Sequence, residues 1–139
     1  MKPIWLIPIL IVILLLLSGC TTIRPNGDSI SSIPSPGPIQ TLPPGQNVTV
    51  QVNEKDTSYA TITVIFSGGE GQIYVRDILV KVTRGDGVEV PPEHLPPMKG
   101  AEVTLLGSRE TDRIEVYVQL DTGEWYKIID RLLPFKTRA

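Results

Sequence analysis

From Asn47 onward the chain alternates apolar and polar residues with a period of two. Val48, Val50 and Val52 alternate with Asn47, Thr49, Gln51 and Asn53, the pattern of a half-buried strand. Ala60, Ile62, Val64 and Phe66 then alternate with Tyr59, Thr61, Thr63 and Ile65. Ser67-Gly68-Gly69-Glu70-Gly71 follows as a hairpin turn signal. Within Gln72–Thr83 the phase slips: Ile73 and Val75 share one parity, Ile78, Val80 and Val82 the other. Arg76-Asp77 sits at the slip, which predicts a β-bulge or a strand crossing. After the turn Arg84-Gly85-Asp86-Gly87, Val88-Glu89-Val90 is expected as a short strand, and Pro91 to Gly100 as a proline-rich loop. Three more strands follow: 101–105, 113–120 and 125–129. Asp121-Thr122-Gly123-Glu124 separates the last two. In the tail, Leu132, Leu133 and Phe135 are expected to dock on the sheet.

Six or seven short strands, Gly-rich turns and no amphipathic helix predict an all-β fold. The expected form is a single small antiparallel β-sandwich with an immunoglobulin-like arrangement; a small β-barrel is the alternative. The cysteine–tryptophan–cysteine core of true immunoglobulin domains is absent, so the expectation rests on strand number and patterning.

Ahead of this domain the alternation vanishes. Residues 20–46 carry Pro25, Pro34, Pro36, Pro38, Pro43 and Pro44 among Ser, Thr and Gly. Proline fixes φ and lacks an N–H, so neither helix nor sheet propagates. The segment is expected to be a disordered, semi-rigid spacer, rising ~3.1 Å per residue where it takes the polyproline II form.

The first 19 residues have the parts of an export signal, a short N-terminal helix to be removed. Lys2 supplies the positive charge, Ile4 to Leu17 is apolar and uncharged, and Ser18 and Gly19 are small. The apolar run falls short of the ~20 residues that a transmembrane helix needs. The residues Leu17-Ser18-Gly19-Cys20 resemble the lipobox of prokaryotic lipoproteins. That resemblance implies cleavage between Gly19 and Cys20 and a diacylglyceryl group on the Cys20 sulfur. It covers residues 1–20 and says nothing of the domain beyond. Two acyl chains anchor stably, each buried CH₂ contributing about 0.8 kcal/mol.

The expected organisation is therefore signal peptide over 1–19, lipidated Cys20 and linker over 20–46, and sandwich domain over 47–139. The expected location is the cell membrane or an outer membrane, facing away from the cytoplasm. Without Lys2 the mature chain has 12 Lys and Arg against 15 Asp and Glu. That acidic balance argues against nucleic acid as a partner and against adhesion to anionic lipid. Cys20 is the single cysteine, so no disulfide within the chain can support the core.

Several short motifs carry two readings. Arg84-Gly85-Asp86 spells an adhesion tripeptide, but Asp86-Gly87 also suits a hairpin turn. Asp121-Thr122-Gly123 matches the triplet of aspartic proteases, yet no second copy exists and Glu124-Trp125 follows; the turn reading is preferred. His94, the single histidine, lies among four prolines without a Gly-x-Ser-x-Gly elbow and is expected as a solvated loop residue. No set of His and Cys suits zinc, and no cofactor or metal is expected. The turn carboxylates Glu70, Asp86, Glu89, Asp112, Asp121 and Glu124 keep a calcium site open as the lesser reading. Asn47-Val48-Thr49 is an N-glycosylation sequon where linker meets domain, and equally the polar side of the first strand. Tyr74, Tyr117, Trp125 and Tyr126 are candidates for one solvent-facing aromatic surface.

With no catalytic set in view, the expected function is that of a lipid-anchored binding or assembly module of the cell envelope. Its partners would be the membrane, through diacylglyceryl-Cys20, and an envelope protein. A hydrolase built on loop carboxylates and a purely structural envelope lipoprotein are the alternatives.

Overall fold

The computed structural model describes residues 33–137. The apolar run, Gly19 and Cys20 lie outside the described residues. Seven strands form: β1 (Thr49–Val52), β2 (Thr61–Gly68), β3 (Val75–Thr83), β4 (Glu93–His94), β5 (Glu102–Leu106), β6 (Asp112–Leu120) and β7 (Trp125–Leu133). They make two antiparallel sheets, three-stranded β1-β2-β5 and four-stranded β4-β3-β6-β7. No strand hydrogen-bonds across from one sheet to the other, so the molecule is a sandwich and the barrel alternative falls. The order is immunoglobulin-like: β1, β2 and β5 stand as strands A, B and E, β3, β6 and β7 as C, F and G, and β4 beside β3 as C′.

Strand alternation turns directly into two layers. The even residues of β2, Ile62, Val64 and Phe66, face Ile78 and Val80 of β3 and Ile114, Val116 and Val118 of β6, all fully buried. Each such side chain contributes at most about 1.5–3 kcal/mol relative to exposure. The phase slip in β3 is a bulge: pairing with β6 jumps between Val75 and Asp77. A second jump, between Val116 and Tyr117 in the β6–β7 ladder, admits one extra residue near Ile128.

Five expectations need correction. Val88–Val90 forms no strand, and Val88 is exposed. The strand instead lies inside the expected loop, where Glu93 and His94 pair with Val80 and Leu79. Both residues keep their N–H, and an edge strand tolerates the prolines around them. Leu95 follows them into the core at 0% exposure, its N–H bonded to Ile78 O. Third, β2 begins at Thr61 rather than Tyr59, because the Asp56 carboxylate accepts the N–H groups of Ser58 and Tyr59 and holds a turn. In the tail, β7 runs on to Leu133, which is buried; Leu132 is exposed, and Phe135 lies half-buried beneath the Arg109 guanidinium.

The fifth concerns the spacer, part of which packs on the domain before residue 46. Leu42 is buried in the core, and the Gln40 N–H donates to Lys127 O at 2.7 Å. The Lys127 N–H donates back to Gln40 Oε1, and the Gly37 N–H reaches the Asp130 carboxylate. Residues 37–42 thus run antiparallel to β7 along its outer edge. Pro43 to Gln46 then turns the chain into β1 through a Pro43 O to Gln46 N–H bond, with Gly45 at φ 75°. Proline blocks continued pairing without preventing a single edge strand from docking.

Candidate binding face on the four-stranded sheet

Strand register sets which side chains share the outer face of the four-stranded sheet. His94, Leu79, Tyr117 and Lys127 lie directly opposite one another across the four strands. Lys81, Glu115 and Asp130 form the neighbouring row, Thr83, Arg113 and Leu132 a third, and Asp77, Gln119 and Trp125 a fourth. Directly opposed side chains lie within contact range, so these rows are physical neighbours.

Asp130 is the hub of this face, its side chain fully covered. Arg113 grips both carboxylate oxygens, at 2.8 and 2.7 Å, Lys127 adds a contact at 2.8 Å, and the Gly37 N–H closes the set at 2.9 Å. The Arg113 hydrogen bonds, seconded by Lys127 and Gly37, outweigh burial and hold the carboxyl far below the usual range. Asp130 in turn raises the Arg113 and Lys127 pKa values. Glu115 accepts from the Tyr117 hydroxyl at 2.9 Å; burial first, then this bond, pushes the phenol pKa up. The Lys81 ammonium sits 5.0 Å above the Tyr117 ring, within cation–π range.

The face has no net charge: Lys81, Arg113 and Lys127 balance Asp77, Glu115 and Asp130. Arg113, Lys127, Glu115 and Asp130 are tied to one another, Asp77 pairs with His94, and Lys81 lies over the Tyr117 ring. What it offers a partner is a pre-ordered polar platform with Tyr117 at its centre and Trp125, 40% exposed, at its rim. The expected four-membered aromatic surface divides. Tyr117 and Trp125 face outward, whereas Tyr74 and Tyr126 pack against the core. Trp125 and Tyr126 are consecutive in β7 and so take opposite faces, and Tyr74 belongs to the short turn Gln72–Tyr74 ahead of β3.

His94 is exposed, and its Nδ1 lies 2.8 Å from Asp77 Oδ2 at the margin of this face. It belongs to a strand and an ion-pair geometry rather than to a free loop. Arg84 and Asp86 clasp each other side by side, and the Gly85 N–H binds Asp112, so the tripeptide is folded on itself. The turn carboxylates divide by connection: Glu70, Asp121 and Glu124 sit in the β2–β3 and β6–β7 links, Asp86 and Glu89 in the β3–β4 link. These links lie at opposite ends of the sandwich, and Asp112 is sealed in the interior. Among the described residues no three His, Cys, Asp or Glu could share a metal ion. Asn47 and Thr49 are exposed, and the Asn47 amide reaches Glu70 at 3.5 Å. No helix among the described residues is long and apolar enough to cross a membrane.

Sequence reasoning missed Asp130, Arg113 and Lys127, which are separated along the chain and neighbours only across the β6–β7 ladder. Their signal was faint: charged residues at the outward positions of otherwise apolar strands. Searches of protein-family models, of curated proteins and of solved structures found no match to this chain.

Proposed function

We propose that this chain is a lipid-anchored, extracytoplasmic binding or assembly module without enzymatic activity. The observation that carries this reading is Cys20, the sole cysteine, placed at the end of an apolar run behind Leu17-Ser18-Gly19. Diacylglyceryl-Cys20 would hold the domain at the membrane, and residues 21–36 would set its reach. The Tyr117 face supports the binding half of the reading. It is ordered by internal ion pairs and neutral overall, so recognition there would depend on shape and aromatic contact. The distribution of the turn carboxylates between opposite ends speaks against a hydrolase built on them.

The test uses the chain purified from the membranes of its own host. Intact mass should show a chain beginning at Cys20 with a diacylglyceryl increment. An unmodified chain beginning at Thr21, or one retaining Met1, would end the lipoprotein reading. Cross-linking in the same membranes should join wild type to an envelope protein, and Tyr117→Ala with Trp125→Ala should lose that product. Equal products from both chains would remove this face from the proposal.

A further inference from the structure

The two sheets have four edge strands, and three of them are blunted. β4 is two residues long and flanked by Pro91-Pro92 and Pro96-Pro97. The outer edge of β7 is occupied by the Gly37–Gln40 segment, which brings Pro36 and Pro38 with it. The Val52 carbonyl of β1 is capped by the Arg131 guanidinium at 2.8 Å, which leaves Val50 alone on that four-residue edge. Shortness, proline and covering segments are the devices by which sheets avoid pairing with other chains.

β5, five residues long and approached by β4 of the other sheet, carries no proline, and no hydrogen bond among the described residues caps its outer backbone groups. The Phe66 N–H binds Ala101 O, and the Gly107 N–H binds Ala60 O. Alternation therefore turns Val103 and Leu105 toward β2 and leaves the N–H and C=O groups of Glu102, Thr104 and Leu106 at the open edge. No other hydrogen bond among the described residues uses these groups. Leu106 is 60% exposed beside them. The outer face of the same sheet carries Thr49, Gln51, Thr61, Thr63, Ile65, Ser67 and Thr104, with Glu102 as its one charge.

We propose that β5 is an association edge and that its partner is β5 of a second copy of this chain, paired antiparallel about a two-fold axis at Thr104. The strand is self-complementary in that register. The three residues with outward-pointing backbone groups meet as Glu102 with Leu106, Thr104 with Thr104, and Leu106 with Glu102. Hydrogen-bonded pairs result at each position. Thr opposite Thr is a favourable cross-strand pair. The two Glu102 carboxylates stand four residues apart along the ladder, about 13 Å, rather than facing one another. Val103 meets Leu105 on the core side, so both apolar faces continue. The product is one six-stranded sheet, β1-β2-β5 continued into its symmetry mate, with an isologous interface. This pairing does not depend on the lipid anchor or on the Tyr117 face.

Sedimentation of the detergent-solubilised full chain should show a concentration-dependent dimer. Thr104→Lys, which sets like charges against each other on the two-fold axis, should sediment as a monomer and keep the melting temperature that wild type shows when dilute enough to be monomeric. A second variant reads the register. Thr104→Cys should form a disulfide-linked dimer on mild oxidation, because hydrogen-bonded antiparallel partners lie about 5.5 Å apart at Cα. Glu102→Cys, distant from its own copy, should give several-fold less. A monomeric wild type at every concentration, a dimer unaffected by Thr104→Lys, or equal cross-linking of Thr104→Cys and Glu102→Cys would each overturn the proposal. So would a Thr104→Cys product joined to a different protein.

Discussion

Lys55 Nζ and Asp112 Oδ2 stand 2.6 Å apart with both side chains fully buried. Every polar atom of the pair has a partner. Lys55 also donates to Ser108 O and Glu110 O, and Asp112 also accepts from the Gly85 N–H, the Ser108 N–H and the Ser108 hydroxyl. The pair ties the β1–β2, β3–β4 and β5–β6 connections together at one end of the sandwich, which has no disulfide to do so. Removing one partner strands a buried charge. Asp112→Ala should cost about 3–5 kcal/mol in urea unfolding. Lys55→Met combined with Asp112→Leu should cost less than the sum of the two single changes, because their contributions are coupled. Additive losses would show that the two residues act separately.

Asp130 makes stability depend on acid. Its folded carboxyl titrates well below the ordinary value, chiefly because Arg113 and Lys127 bind the charged form. The unfolded chain therefore takes up this proton first as pH falls through about 4. The stabilisation is fully present above that value and is lost progressively on acidification. Asp130→Asn should be less stable than wild type at pH 6, and the gap in urea midpoint should narrow by pH 3. A gap unchanged with pH would mean that the carboxylate charge contributes nothing.

Leu42 decides whether the domain begins at 47 or earlier. It is 7% exposed and belongs to the core cluster. Leu42→Ala should destabilise the fold by about 2–5 kcal/mol. The Gln40 amide, bonded to Lys127 O, should exchange slowly with solvent. Fast exchange at Gln40 with a neutral Leu42→Ala would restore the free spacer.

Gly71 and Gly123 are needed for different reasons. A Cβ on Gly71 would lie 2.1 Å from the Gln46 carbonyl, which turns the chain from the docked segment into β1. Gly71→Ala must displace that turn and should speed exchange at Gln40 as it destabilises the fold. Gly123 sits at φ 87° in open space, so Gly123→Ala costs backbone strain of about 1–2 kcal/mol and leaves Gln40 protection unchanged. Identical exchange patterns in the two variants would contradict this distinction.

The two-residue period was enough to read Val50, Ile62, Val64, Val80, Ile114 and Val116 as inward-facing and to reach a two-layer all-β fold, since a strand with one apolar face must bury it. The bulge at Arg76-Asp77 was legible too, because an inserted residue reverses the parity of everything after it. Leu95 and Leu42 were not legible. Each is a single apolar residue among prolines, and a single residue has no period. The Asp130–Arg113–Lys127 cluster was equally hidden, because like any polar outward position it reads as solvated surface until register places its partners beside it.

Sequence alone settled the alternation, the turns and the lipobox-like run ending at Cys20, which are all local properties of neighbouring residues. Tertiary structure alone decided which strand lies beside which. That choice buried Asp112 against Lys55, folded residues 37–42 onto β7 and left β5 as the open edge. Pairing between distant strands is settled by the packing of both sheets at once, and no window of sequence contains that information.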